Sequence, residues 1–385
     1  MVKKIFFLVF FIFFQSYAQE TEIIVTLLDK ETNEVIEDAS ITVLSTNQGL
    51  LSNKEGVFIL KLNKSSLIEI SHTSYDKITI KSTSLKEKKN IIYLERDTNN
   101  LEEIIVTRKD PQDILKHIVE NSMKKIKVPA NLKVYTREFY KKDNQYTYYS
   151  DGLLNFQVLG DYKNIKTDIL VEQNRSKGLI DDFDKSILGY NLNNLMENYY
   201  KFKYIGPLLE DKAKKKYSFQ IKSYRNNDDY YYVIVKPLTT VTGKFSNFSI
   251  LYDSKSKLIL EISSILPLDR VDTDKNLLDF NKDRVFKSEF KSTYRQDGND
   301  YYLASSREEI GFVTKGNKKD VNIEIKNYFI TTKFSDKIFE YSDKEVFKEK
   351  SLINKTDSVI TPFWEVDSGL FLTKAENEII DGLLK

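Results

Sequence analysis

Between residue 21 and about residue 95, short apolar or alternating runs are separated by polar turn signals. Residues 23–28 predict a first strand and 29–33 a polar turn. Over 39–44, Ile41 and Val43 share one face and Thr42 the other. A turn at Asn53, Lys54, Glu55 and Gly56 leads into a strand at 57–60, and 67–70, 78–80 and 91–94 complete the set. Strands this short, at this spacing and with no helix between them, predict an antiparallel sandwich.

The period then changes. Asp110 and Pro111 form a helix start, with Asp113 in the first turn. Ile114, Leu115, Ile118, Val119, Met123 and Ile126 fall on one stripe, which predicts a helix over 110–126 packed on a sheet. His117 shares the opposite, solvated face with Lys116, Glu120 and Lys124. Longer strand patterns follow at 217–222, 230–235, 244–252, 257–265, 286–294 and 301–310, and Val321, Ile323 and Ile325 alternate beyond a turn at Gly316 and Asn317. One face of this meander is apolar or aromatic and the other Lys, Glu and Ser. That predicts a large curved antiparallel sheet with one wetted side, closed by the helix. Leu192, Leu195, Met196 and Tyr199 predict a helix near 189–202. Thr373 and Glu376 form a capping-box pattern for a helix near 374–384, with Trp364 upstream as its core anchor. The fold class is mainly β, of α+β type.

The first residues bear on compartment. Lys3 and Lys4 precede an apolar run over 5–14, and Ser16, Tyr17 and Ala18 offer a peptidase site, so 1–18 reads as a secretory signal peptide. An uncleaved anchor is the alternative. The run falls short of the ~20 residues that a spanning helix needs, and no later segment reaches that length. The remaining organisation is a sandwich at 19–97, a linker at 98–109 and a β-rich domain at 110–385. Without 1–18, basic and acidic residues balance at 57 each, so nothing drives the chain onto nucleic acid or anionic lipid. Clusters such as Lys214, Lys215 and Lys216 read as solvated loops.

Glu55, Gly56, Val57 and Phe58, with Ser71 and Tyr75 further on, resemble the turn-plus-strand and the serine-to-tyrosine loop of the carboxypeptidase regulatory-like domain. The pattern departs from that family at Asn33 and Ser74, where glycines are usual. The resemblance covers about 75 residues and implies a transthyretin-like sandwich without peptidase chemistry. Residues 101–107 look like the segment that follows such a sandwich in TonB-dependent outer-membrane receptors. The residues beyond do not suffice for a receptor's barrel, so 101–107 reads as a linker strand, with a docking box as the alternative. The whole arrangement, with Asp151, Gly152 and the 362–364 and 372–376 runs, resembles secreted, carboxypeptidase regulatory-like domain-containing proteins of Bacteroidetes type. The meander is also similar in architecture to the half-barrel of periplasmic lipoprotein carriers.

Chemistry is narrowed by scarcity. The 385 residues hold no cysteine, which excludes disulfides and thiolates. The two histidines fall in different predicted domains, His72 as a partly exposed residue of the sandwich loop from Ser71 to Tyr75 and His117 on the helix, which argues against a histidine metal cluster or a serine triad. No catalytic, cofactor-binding or metal residue is assigned. The densest acidic clusters are Asp181, Asp182 and Asp184, and Asp269, Asp272 and Asp274; the second spaces its oxygens in the style of a calcium loop but lacks the mid-loop glycine and the closing glutamate, so both read as solvated turns, with calcium binding as the alternative. A carboxylate-based hydrolase stays open. The expectation is a non-catalytic cell-envelope protein, in the periplasm, at the outer membrane or on the surface, that contacts a protein partner or holds a hydrophobic ligand on its curved sheet. The alternatives are a glycan-binding or glycan-cleaving protein, motivated by Tyr230, Tyr231, Tyr232, Tyr301 and Tyr302, and a structural or adhesion module.

Overall fold

The computed structural model describes residues 21–72, 74–96, 104–180, 191–224, 228–270, 284–315, 320–355 and 369–383. The leader, Trp364 and the acids Asp181, Asp182, Asp184, Asp272 and Asp274 lie outside them.

The sandwich comprises β1 (Thr21–Asp29), β2 (Ser40–Val43), β3 (Gln48–Leu51), β4 (Val57–Leu62), β5 (Leu67–His72), β6 (Tyr75–Lys81) and β7 (Asn90–Leu94). They form two sheets, ordered β4-β1-β7 and β3-β2-β5-β6. Val25, Leu27, Ile41, Phe58, Ile68 and Ile70 fill the layer between them, all with no exposed surface. The pairing is antiparallel except between β1 and β7, which run parallel because the chain crosses the whole second sheet before returning. Asp29 anchors this return. Its buried carboxylate accepts the amides of Glu31 and Thr32, the Tyr75 hydroxyl at 2.8 Å and the Arg96 guanidinium. These bonds, the Thr32 amide first, hold its pKa far below the ordinary carboxylate range.

A third sheet, of eleven strands, makes up most of the rest. It contains β8 (Ile104–Ile105), β9 (Ala130–Lys142), β10 (Gln145–Gly160), β11 (Ile165–Gly178), β12 (Tyr217–Ser223), β13 (Tyr230–Pro237), β14 (Asn247–Asp253), β15 (Leu258–Ile265), β16 (Arg284–Asp297), β17 (Asp300–Lys315) and β18 (Asp320–Ser335). The order is β11-β10-β9-β18-β17-β16-β15-β14-β13-β12-β8, so β18 closes back onto β9 and the linker pair Ile104–Ile105 forms an edge. Helix α1 (Pro111–Lys125) begins as its sequence requires, with the Asp110 side chain accepting from the Gln112 amide. Its stripe, Leu115, Ile118 and Val119, lies buried on the inner face of the sheet, and His117 is exposed.

The predicted helix near 189–202 is shorter and more broken than its spacing suggests. It consists of a 3-10 turn (Leu192–Asn194), α2 (Leu195–Tyr200) and then α3 (Gly206–Leu209). This segment covers the inner face with aromatics: Tyr199 and Tyr204 stack on Phe290 at 5.8 and 4.2 Å, and the Tyr294 hydroxyl donates to the Tyr199 carbonyl. The last element, α4 (Lys374–Gly382), starts with a complete capping box between Thr373 and Glu376.

The outer face differs from the expected wetted side. Tyr135, Leu153, Tyr328 and Ile330 there are buried beneath Leu370 and the sandwich strand β3. Gly49 of β3 lies so close that a β-carbon on it would sit 2.8 Å from the Thr331 carbonyl oxygen. The polar residues of the face are compatible with this cover because they are paired across the junction, Arg307 with Asp38 at 2.9 Å and Arg295 with the Ser40 hydroxyl at 2.9 Å.

Candidate functional site

Two polar constellations occupy the junction of the sandwich, the outer face and the C-terminal segment. The first is structural. Asp151, fully buried on β10, accepts from the hydroxyls of Tyr135 and Tyr149 at 2.9 and 2.5 Å and from Arg175 at 2.8 and 3.0 Å. Arg137, 2% exposed, donates to the Tyr135 hydroxyl and to the Leu370 carbonyl, and its guanidinium stands 3.5 Å from Glu376. Burial pushes both tyrosine hydroxyls upward, so they remain donors. The C-terminal segment also grips the sandwich, since the Leu51 amide donates to Gly369 and the Lys374 amide to Glu55. Residues 369–383 thus act as a clasp across both domains. Asp151 and the 372–376 run, separate motifs in the sequence, meet in it.

The second constellation is open. A cleft of about 490 Å³ lies between the sandwich wall and the sheet, within the range of ligand pockets. Ser71, His72 and Tyr75 line the sandwich side, and Glu261, Lys291 and Thr293 lie opposite on the sheet. Its position follows from a defect in the ladder. β15 and β16 pair only from Glu261↔Thr293 to Ile265↔Glu289, and beyond that the strands part. Register shifts at Leu251/Tyr252 and at Thr293/Tyr294 leave Leu260 and Ala304 as extra residues, and both line the cleft. The helix closes the parting from the other side, where Ser122 Oγ accepts the Ile259 amide and the Tyr301 hydroxyl donates to the Ile259 carbonyl.

The floor is electrostatically organised. Lys291 Nζ stands 3.4 Å from Glu261 Oε2. Burial works against the ammonium, but Glu261 and Asp38 outweigh it and hold Lys291 above the usual lysine range. His72 Nδ1 accepts the Ser74 amide at 3.0 Å, and the ring meets Tyr75 edge-on. Burial, with Lys291 adding to it, pushes the imidazole down to about 4.

The structure sorts the residues singled out in the sequence. His72, expected as a partly exposed loop residue of the sandwich, lies in the cleft with Ser71 and Tyr75, and Tyr230 lines its rim. Tyr231 packs on Tyr252, Tyr301 is fully buried, and Tyr302 stacks on Phe334 at 4.1 Å, so these tyrosines serve packing. Asp269 is exposed on a 3-10 turn. Lys214 pairs with Asp110 at 2.9 Å. Sequence reasoning missed Glu261 and Lys291, whose alternating strands give no local sign of a facing domain. Among the described residues no group of three or more histidines and acids is placed to hold a metal ion, and no helix is long and apolar enough to cross a membrane.

Comparison with known proteins adds one firm point. Residues 26–106 match the family model of the CarboxypepD_reg-like domain, so the sandwich is a carboxypeptidase regulatory-like domain. None of the curated proteins matches the chain. Among solved structures, lipovitellin is 10% identical over 56% of this chain, with a TM-score of 0.26, and the match spans 26% of lipovitellin's own length. A LolA superfamily protein from Nitrosomonas europaea is 10% identical over 60% of this chain and 97% of its own, with a TM-score of 0.22. The MucA/MucB complex of Pseudomonas aeruginosa is 8% identical over 57% and 93%, with a TM-score of 0.19. All three fall below a TM-score of 0.5 and carry no argument about function.

Proposed function

We propose that this chain is an exported, non-catalytic binding protein of the cell envelope, and that its ligand sits in the cleft between the sandwich and the sheet. The observation that carries the reading is the cleft itself, built at a parting of the ladder over a buried Glu261–Lys291 pair. The apolar inner face of the sheet is the other surface that a hydrophobic ligand could use. Over the described residues it is packed under α1 and the 192–209 segment. The carboxypeptidase regulatory-like sandwich and the secretory pattern of residues 1–18 support the envelope setting.

The test is native mass spectrometry of the protein purified gently from its own envelope, beside a Ser71→Trp variant that fills the cleft from the sandwich wall. A small non-protein adduct on the wild type, lost from the variant, is the expected result. An adduct retained equally by both, or bare monomer in both, overturns the reading.

A further inference from the structure

The parting of the ladder gives the cleft a vacant strand edge. β16 stays paired with β17 from Arg284 to Asp297 but with β15 only as far as Thr293, and Thr293, Tyr294, Arg295 and Gln296 all line the cleft. The Leu266 amide donates to the Ser288 carbonyl, so Ser288 turns its main chain towards β15. Main-chain groups alternate from there along β16, the extra residue at the nearby shift, Ala304, belonging to β17. Those of Tyr294 and Gln296 therefore face the parting. A strand edge with donors and acceptors turned outward is a template for a further strand. At ~3.3 Å per residue, this lip takes a segment of about four residues.

The lining is acidic. It carries Asp38, Glu69, Asp76, Asp253 and Glu261 against Lys77, Lys291 and Arg295. Glu69 holds Lys77 at 2.7 Å, Glu261 faces Lys291, and Arg307 from outside the lining holds Asp38 at 2.9 Å. That leaves Asp76 and Asp253 against Arg295, whose guanidinium donates to the Ser40 hydroxyl. At the rim, burial raises the Tyr230 hydroxyl, and the carboxylates of Asp253, Asp229 and Glu69 all add to the rise. A field of this sign draws in cations and repels anions. Tyr75, Tyr224 and Tyr230 line the same cleft, and aromatic faces favour a cation as well. Glu261 is 8% exposed, and its Oε2, 3.4 Å from Lys291 Nζ, has no hydrogen-bond partner among the described residues. A carboxylate oxygen removed from water takes a donor, and an amide or ammonium supplies one.

We propose that the cleft binds a short extended peptide with lysine or arginine side chains. Its backbone pairs with β16 at Tyr294 and Gln296, its cations are drawn to Asp76 and Asp253, and one of its N–H groups donates to Glu261 Oε2. The inference rests on the cleft being the binding site and adds the class of ligand. Saturation-transfer NMR titrations on the full chain test it with three capped peptides: Lys-Val-Lys-Val, Glu-Val-Glu-Val, and the lysine peptide methylated on every backbone amide nitrogen. The expected result is transfer to the lysine peptide, with the acidic and methylated peptides binding at least tenfold more weakly. Binding of the lysine peptide is expected to weaken at least tenfold in Asp76→Lys, a change at an exposed position, and to vanish in Ser71→Trp. Silence from all three peptides, in protein whose native adduct Ser71→Trp removes, overturns the peptide assignment while the cleft reading stands. So does binding that Ser71→Trp abolishes but that charge reversal at Asp76 or methylation of the peptide leaves unchanged. Lysine-peptide binding that survives Ser71→Trp overturns the inference and the cleft reading together.

Discussion

His72 shows how much a single side chain owes to what faces it. In the unfolded chain its imidazole titrates near 6.5, whereas in the folded protein burial and Lys291 push it down to about 4, with Asp38 opposing. Between these values the unfolded state binds the proton and the native state does not, so stability falls as pH drops from 6.5 towards 4. The loss is up to about 3 kcal/mol by the value of a pKa difference. His72→Gln is expected to flatten this slope, as read from urea unfolding midpoints at pH 7, 5.5 and 4.5. An unchanged slope would mean that the ring is solvated. The sequence placed His72 in the serine-to-tyrosine loop of the sandwich, but Lys291 and Glu261 belong to strands far along the chain. Pairing across domains has no local signature, so the residue was legible and its environment was not.

At the scale of elements, legibility follows how local the determining physics is. Helix α1 was readable because Asp110, Pro111 and the apolar stripe all act within one segment. The sandwich strands were readable because one face of each is buried. By contrast, β9 and β10 carry Arg137, Glu138 and Asp151 in their buried middles, which breaks the period that marks a strand. Strand β3 was missed because Gly49 is set by the approach of Thr331, a distant contact. The turn before β4 is the best-encoded feature of the sandwich. Gly56 adopts φ +71°, and a β-carbon there would meet the Leu27 carbonyl oxygen at 2.7 Å. Gly56→Ala is therefore expected to destabilise the protein by about 1–3 kcal/mol, lowering the thermal midpoint by several degrees in calorimetry. A midpoint within one degree of wild type would show that the turn relaxes freely.

For the whole molecule, the junction decides whether sandwich and sheet behave as one cooperative body. It combines the apolar cluster around Leu370 with the Arg307–Asp38 and Arg137–Leu370 contacts. Gly49→Val wedges that junction open without touching either core. The expected outcome is faster hydrogen exchange at the β3 and β18 amides, with the sandwich core around Phe58 still protected. Uniform loss of protection throughout would show instead that neither part holds its fold without the other.

The clasp also has a place in time. Leu370 follows Arg137 by 233 residues, so β9, β10 and the sandwich all leave the ribosome long before the segment that ties them together. Until that segment arrives, Arg137 and the outer-face cluster around Tyr135 and Ile330 lack the cover of Leu370. Sealing of the junction is thus a late step in assembly, completed only when residues 369–370 bind both β3 and β9.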